Sequence, residues 1–391
     1  MSDPASIAEV IAEEGGTVTF ARFMELALTH PTLGYYCRAE RILDRGGDFN
    51  TAPGLSPFFD RTLARLVTEL LDAVVAGEAE VQGAGLRPSV VELGGGEGQL
   101  AAAILGLWEA ERPELKGRVA YRTVEVGQGL QRRQEAALTA LLSAGWDVGW
   151  GLTLQEACAG TRPVVVVGNE FLDTLPVHLL RSVEGEVFEA YVKAGPAGLQ
   201  QAWGPVSQQA ARELESLFGT LDPERLDALT EDGTIEVFSR MGALLGSLAE
   251  EMPSGSLVSI DYGEWFPGIP HEGECWGLEG RALRRRTVRG YFKHQLTLDP
   301  LARPGRQDLT ADVDFATLDL RGRQHGFETV LFTTLAAFLR AGGAEEELEG
   351  LEGGRLHEDT LEADRQATVL RNLRDDTDLG GAFKVMVQVR E

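Results

Sequence analysis

The chain has 391 residues, 43% hydrophobic and 25% charged, a globular composition that excludes a wholly disordered protein and leaves room for a nucleotide-fold core plus a second sizeable part. Its 61 acidic against 36 basic residues give a formal charge of −25, which argues against nucleic acid as a partner, because such binding begins with Lys and Arg neutralising phosphates. No apolar run of about 18 residues and no basic, then apolar, then small-residue leader is visible, so a cytoplasmic protein without membrane contact is expected.

The cysteines Cys37, Cys158 and Cys275 stand far apart without CxxC or Cys/His spacing and read as ordinary thiols. The six histidines are equally scattered, so no metal site is expected. The acidic surface serves solubility in the simplest reading and attraction of basic partners in the sharper one.

In chain order, Ser2 or Asp3 ahead of Pro4 predicts a helix start, and Gly15-Gly16 its end. Thr19 caps a predicted second helix reaching about Thr29, with Phe20, Phe23, Met24, Leu26, Ala27 and Leu28 as its apolar positions. Ser56-Pro57 opens a third, carrying Phe58, Leu63, Leu66, Val67, Leu70 and Leu71 on its buried side.

From about residue 88 short apolar runs alternate with helical periods, the pattern of βα units around a parallel sheet. Strands are predicted at 89–93 (SVVEL), 120–126 (AYRTVEV), 163–170 (PVVVVGNE), 256–263 (SLVSIDYG), 329–335 (TVLFTTL) and 383–389 (FKVMVQV), with the weakest pattern in WDVGWG at 146–151. The fold class is therefore α/β, a Rossmann-like sheet of seven strands. Residues 186–230 and 266–325 break the alternation, and the second stretch is assigned to a cap. The Glu-rich segment 344–354 reads as a solvated loop or helix face rather than a functional tail.

The strongest local feature is VELGGGEGQL, in which Glu92, Gly94, Gly96 and Gly98 follow a buried strand and precede a helix. Glycines there let the backbone turn tightly and approach a bound cofactor closely. The dinucleotide pattern GxGxxG fails, because its third glycine would fall on Gln99. Glu125 closes the next strand, where an acid accepts hydrogen bonds from the ribose hydroxyls of an adenosine.

Beyond the strand PVVVVGNE come Asn169, Glu170 and Asp173, and Asp261 ends the neighbouring strand. Ligands of open α/β sheets bind outside the carboxyl ends of strands, so these residues are expected to line the cleft. A helix cap for Asp173 and a structural hydrogen bond for Asn169 are the plainer alternatives.

GYY at 34–36, GDFNTAP at 47–53, VELGGGEGQL, VEV at 124–126 with Gln134, GNEFLDTLPVH at 168–178, IDYG at 260–263 and PGRQDLTADVDF at 304–315 occur in that order. Together they resemble the MidA family, whose mitochondrial members are complex I assembly-factor methyltransferases. The resemblance implies a class I methyltransferase fold, S-adenosylmethionine as cofactor and, for the mitochondrial members, methylation of an arginine on a complex I subunit. It also implies that Gly47, Asp48, Phe49 and Thr51 lie against the cofactor, while His294 matches a cap histidine. Gly54, Asp60, Gly127-Gln128 and Thr174 depart from the family pattern.

The expected organisation is an N-terminal helical segment over 1–80, a cofactor-binding core over 81–265 with the insertion 186–230, the cap over 266–325 and core-completing strands over 326–391. An arginine acceptor is cationic at neutral pH and meets a second cation in the sulfonium, so carboxylates must hold it and take its proton. Glu170 and Asp173 are the candidates and Asp261 a third. A small-molecule methyltransferase, or a cofactor-binding assembly factor acting by holding a partner, are the alternatives. The N-terminal helices could pack on the core or on a second subunit, so a homodimer stays open.

Overall fold

Four consecutive valines, Val164 to Val167, are each fully buried, as expected of a central parallel strand covered on both faces. The computed structural model that shows this describes residues 5–38, 56–78, 86–196, 198–219, 228–267, 283–293, 295–353 and 360–391. The chain divides into two compact units. The first comprises Met1–Phe49, Leu172–Leu245 and Glu264–Gln324; the second comprises Asn50–Phe171, Gly246–Gly263 and His325–Glu391.

The second unit holds the seven-stranded sheet. Its strands are β1 (Arg87–Leu93), β2 (Ala120–Val124), β3 (Val148–Gly151), β4 (Thr161–Asn169), β5 (Gly255–Glu264), β6 (Glu328–Thr334) and β7 (Phe383–Arg390), in the order 3-2-1-4-5-7-6. β1 to β5 pair in parallel, and β7 runs antiparallel between β5 and β6. The α/β class I methyltransferase sheet expected from the sequence is thus present, including the weakly patterned strand at 146–151. Strand order reverses between β1 and β4, the place where doubly wound sheets open a crevice beyond their carboxyl ends.

Helices cover this sheet. Pro57–Glu78 begins at the expected residue, and its Thr68 hydroxyl accepts the buried Trp108 indole N–H at 2.8 Å, tying it to the helix Gln99–Glu111. The Glu-rich segment is the helix Ala344–Glu352, which buries Leu348 and Leu351 while Glu347 pairs with Arg61 and Glu345 with Arg374. It is a helix face, as expected.

In the first unit the N-terminal helix spans Ile7–Glu13 and is capped by Ser6, whose hydroxyl accepts the Glu9 N–H. The expected start at Ser2 or Asp3 is thereby corrected: Ser6 satisfies the first-turn donor that a cap must satisfy. Thr19 caps Phe20–Thr29 as expected. The stretch 186–230, which lacked the βα alternation, contains a hairpin of Glu186–Gly195 and Gly198–Pro205 followed by the helix Gln208–Phe218. The hairpin joins Thr17–Thr19, Val177–Val183 and Thr234–Phe238 in an antiparallel sheet. Inside that sheet the His178 imidazole meets the Glu189 carboxylate at 2.6 Å, both fully buried. Residues 289–310 form three short antiparallel strands, Arg289–Phe292, Gln295–Thr297 and Asp308–Thr310.

Candidate functional site

At the strand reversal, β1 ends at Leu93 and the backbone turns through Gly94, Gly96 and Gly98 with φ of 69°, 52° and 88°. That left-handed region disfavours L side chains. The Gly94 N–H donates to the Val124 carbonyl at 2.9 Å, so the turn is anchored to the end of β2. A Cβ on Gly94 would stand 3.0 Å from the Phe171 ring, and one on Gly95 only 2.7 Å from the Thr123 methyl and 2.9 Å from the Gln134 amide. Gly98 caps the helix Gln99–Glu111 with no side-chain hydrogen bond, leaving first-turn N–H groups for solvent or an anionic ligand.

Glu125 follows β2 and is 4% exposed. Its Oε1 accepts the Gly127 N–H at 2.8 Å and its Oε2 the Gln134 Nε2 at 3.2 Å. Burial nonetheless pushes this carboxyl up to about 7, against the pull of those donors. A carboxylate has about four lone-pair sites. The bonds from Gly127 and Gln134, with the Val126 N–H as a further donor, do not exhaust that capacity, so the group fits a ribose hydroxyl.

Glu92 lies on β1 and takes the Tyr121 hydroxyl hydrogen bond at 2.8 Å. Burial raises it to about 7 despite that bond, and the nearby Glu125 and Asp60 add to the rise. Asn169 ends β4, and its buried Oδ1 has no hydrogen-bond partner among the described residues, an acceptor in place for a ligand's donor. Glu170 takes φ of 50°, and its N–H donates to the Ile260 carbonyl at 2.9 Å. A non-glycine residue held there stores strain of roughly 1–2 kcal/mol, which is common where a side chain must be aimed.

Glu92, Gly94, Gly96, Glu125, Asn169 and Glu170 thus stand at the carboxyl ends of the adjacent strands β1, β2 and β4. Asp261 is fully buried on β5, where its Oδ1 accepts the Tyr262 N–H at 2.9 Å. Asp173 belongs to the first unit, buried in the turn Leu172–Thr174, and its carbonyl accepts the Ala311 N–H. Gly47, Asp48, Phe49, Thr51 and His294 lie outside the described residues.

Sequence reasoning gave no individual role to Gln134 and Trp150. The Gln134 Nε2 donates to the Gly96 carbonyl at 2.9 Å as well as to Glu125, and its Oε1 accepts the Trp150 indole N–H at 2.7 Å. Val126 and Leu152 were also missed. These apolar side chains just past β2 and β3 are 41% and 46% exposed, and a flat base could cover them. For Val126, an apolar residue directly after the acid Glu125 was the available signal.

The chain matches, over residues 64–333, the model of a family described as S-adenosyl-L-methionine-dependent methyltransferases. It is similar to the mitochondrial protein arginine methyltransferase NDUFAF7 of Danio rerio, 28% identical over 326 residues, which are 78% of this chain and 68% of that one. The Homo sapiens NDUFAF7 is 27% identical over 78% of this chain and 65% of its own length, so the chain spans about two thirds of these relatives. Among solved structures, a protein from Burkholderia thailandensis bound to S-adenosyl-homocysteine superposes with a TM-score of 0.74 at 30% identity, covering 98% of this chain and 92% of that one. The expectation of a cytoplasmic protein is corrected by the curated relatives, which are named as mitochondrial.

Proposed function

Because the chain belongs to the S-adenosyl-L-methionine-dependent methyltransferase family, we propose that the group it methylates is an arginine side chain of a protein. The cofactor is S-adenosylmethionine. The names of the curated relatives support the acceptor, and the observation that carries it is the carboxylate of Glu170, carried beside Asn169 on a backbone held at positive φ at the strand reversal.

When bound, the cofactor supplies an electrophilic methyl carbon on a sulfonium sulfur. We assign to Glu125 the ribose hydroxyls, to the backbone at Gly94 and Gly96 close approach to the cofactor, and to Asn169 Oδ1 a hydrogen bond from its amino group. Glu92 supports the turn from β1. Glu170 would hold the acceptor guanidinium with one nitrogen turned toward that methyl group. Once methylated, with the demethylated cofactor released, that nitrogen would give up a proton, which the Glu170 carboxylate would accept. Asp261 keeps its expected place as a further carboxylate for the acceptor within this proposal.

Incubation with methyl-tritiated S-adenosylmethionine and a protein extract, followed by amino acid analysis, tests the acceptor. Label in methylarginine is expected. Label confined to lysine, to base-labile esters or to small molecules would refute it.

The raised acids make a pH prediction. Ribose hydroxyls donate to the ionised form of Glu125, so cofactor affinity should rise as pH passes through about 7. Glu92 titrates in the same range and senses Glu125, so the step belongs to the pair. For stability the sign is opposite. Carboxyls raised from 4.5 to about 7 in the fold contribute stability that is fully present below about 4.5 and lost as pH rises through 7. Each accounts for about 3 kcal/mol at most. Melting with and without cofactor at pH 5.5 and 8 should show the larger cofactor-induced rise in Tm at pH 8; an equal rise at both would contradict the assignment of Glu125.

A further inference from the structure

Two of the glycines in the turn after β1 are crowded by the protein itself. A Cβ on Gly95 would collide with the Gln134 amide, and one on Gly98 would stand 3.2 Å from the Gln134 Cα. The turn and the helix Gln128–Ala137 are therefore fitted to one another at this one residue. Gln134 is itself 1% exposed. Burying an amide there demands partners for both its ends, and it has them: Gly96 and Glu125 on the nitrogen side, Trp150 on the oxygen side.

The Trp150 indole can only donate, so it sets which end of the amide faces it. The nitrogen is then turned toward the glycine turn and the ribose acid. Trp150 in turn sits on β3, paired with Thr123 of β2, so the orientation is fixed by the sheet.

We propose that Gln134 is a positioning residue for S-adenosylmethionine, its amide holding the Glu125 carboxylate and the Gly96 turn in one register and Trp150 holding the amide. This rests on the assignment of Glu125 to the ribose. The physical content is that one nitrogen shares two donors between a carbonyl and a carboxylate. Losing it frees the acid to rotate and removes a donor that favours its charged form.

The test measures cofactor Kd by calorimetry from pH 6 to 8.5, with kcat and KM, for four variants. Gln134→Met has similar length and no donor. It should weaken binding about tenfold or more, the loss of a buried hydrogen bond to a charged group, with KM raised, kcat within about twofold, and the pH midpoint of binding moved upward. Gln134→Glu keeps the acceptor for Trp150 but sets a second carboxylate against Glu125. It should bind worst above pH 7 and recover toward pH 6, where the new acid can donate. Trp150→Phe should move Kd and midpoint in the same direction as Gln134→Met by a smaller factor, and it decides the matter if Gln134→Met does not fold. A merely structural Gln134 would lower Tm in these variants while leaving the midpoint in place and Gln134→Glu near wild type, which would overturn the proposal. Glu125→Gln separates the two levels. If it weakens binding while Gln134→Met stays within twofold of wild type, the positioning role alone is wrong; if neither changes Kd, the ribose assignment fails with it.

Discussion

Glu170→Gln is expected to keep S-adenosylmethionine affinity and to lose methyl transfer, with kcat reduced by about 10²–10⁴-fold. The amide matches the carboxylate in shape and can still take a hydrogen bond, but it carries no charge for a guanidinium and accepts no proton. Because the change acts on the acceptor, Kd for the cofactor should stay within about twofold. The backbone supplies an independent control. Glu170 sits at φ of 50°, where glycine is at ease, so Glu170→Gly releases roughly 1–2 kcal/mol of strain against about 0.5–1 kcal/mol for glycine's greater freedom in the unfolded chain. That variant should melt near the wild-type temperature and be as inactive as the glutamine variant. Retained stability with lost activity marks a residue held in a costly conformation for its chemistry. Wild-type turnover in both variants would remove Glu170 from the mechanism. Asp173→Asn and Asp261→Asn, assayed alongside, show whether either of those buried acids shares the role.

Much of this site was readable because the residues that shape it are punctuated locally. The run Val164–Val167 is short, β-branched and bounded by turn residues, which favours a covered strand, and the glycines after Glu92 mark a tight turn. Their neighbours along the chain were enough. Gln134 was not legible in this way. It lies on a mostly polar helix, 38 residues from the Gly96 carbonyl it holds, and the resemblance that placed it beside VEV gave it no role. Trp150 was hidden by its setting, since VGWG is short and glycine-rich and barely registers as a strand. The hairpin over 186–205 escaped for a related reason: Gly198–Pro205 is half exposed, and its GLQQAWGP offers little apolar alternation. The N-terminal helix start was misplaced because two cap-like residues, Ser2 and Ser6, stand one turn apart. Pro4 favoured the first, whereas the Glu9 N–H finds the second. Location failed on different grounds: the expectation rested on a pattern not seen, whereas the curated relatives are named as mitochondrial.

Gly96→Val carries the other large effect, expected on binding rather than on turnover. At φ of 52° an L residue already costs about 1–2 kcal/mol, and valine, branched at Cβ, fits that conformation worse than alanine does. The strain alone would lower Tm by only a few degrees in a protein of this size. Cofactor affinity should fall much further, by about a hundredfold or more, because the side chain is added where the backbone must come close to the ligand, and because the Gly96 carbonyl that Gln134 grips would move with it. Gly96→Ala separates these contributions: it carries most of the strain and little of the bulk, so its melting temperature should match that of the valine variant more closely than its Kd does. Equilibrium dialysis with S-adenosyl-homocysteine measures the same pocket without turnover. A folded Gly96→Val protein that binds both ligands as tightly as wild type would mean the cofactor does not lie over this turn, and the roles given to Glu125, Asn169 and Gln134 would fall together, since all three are placed by reference to it.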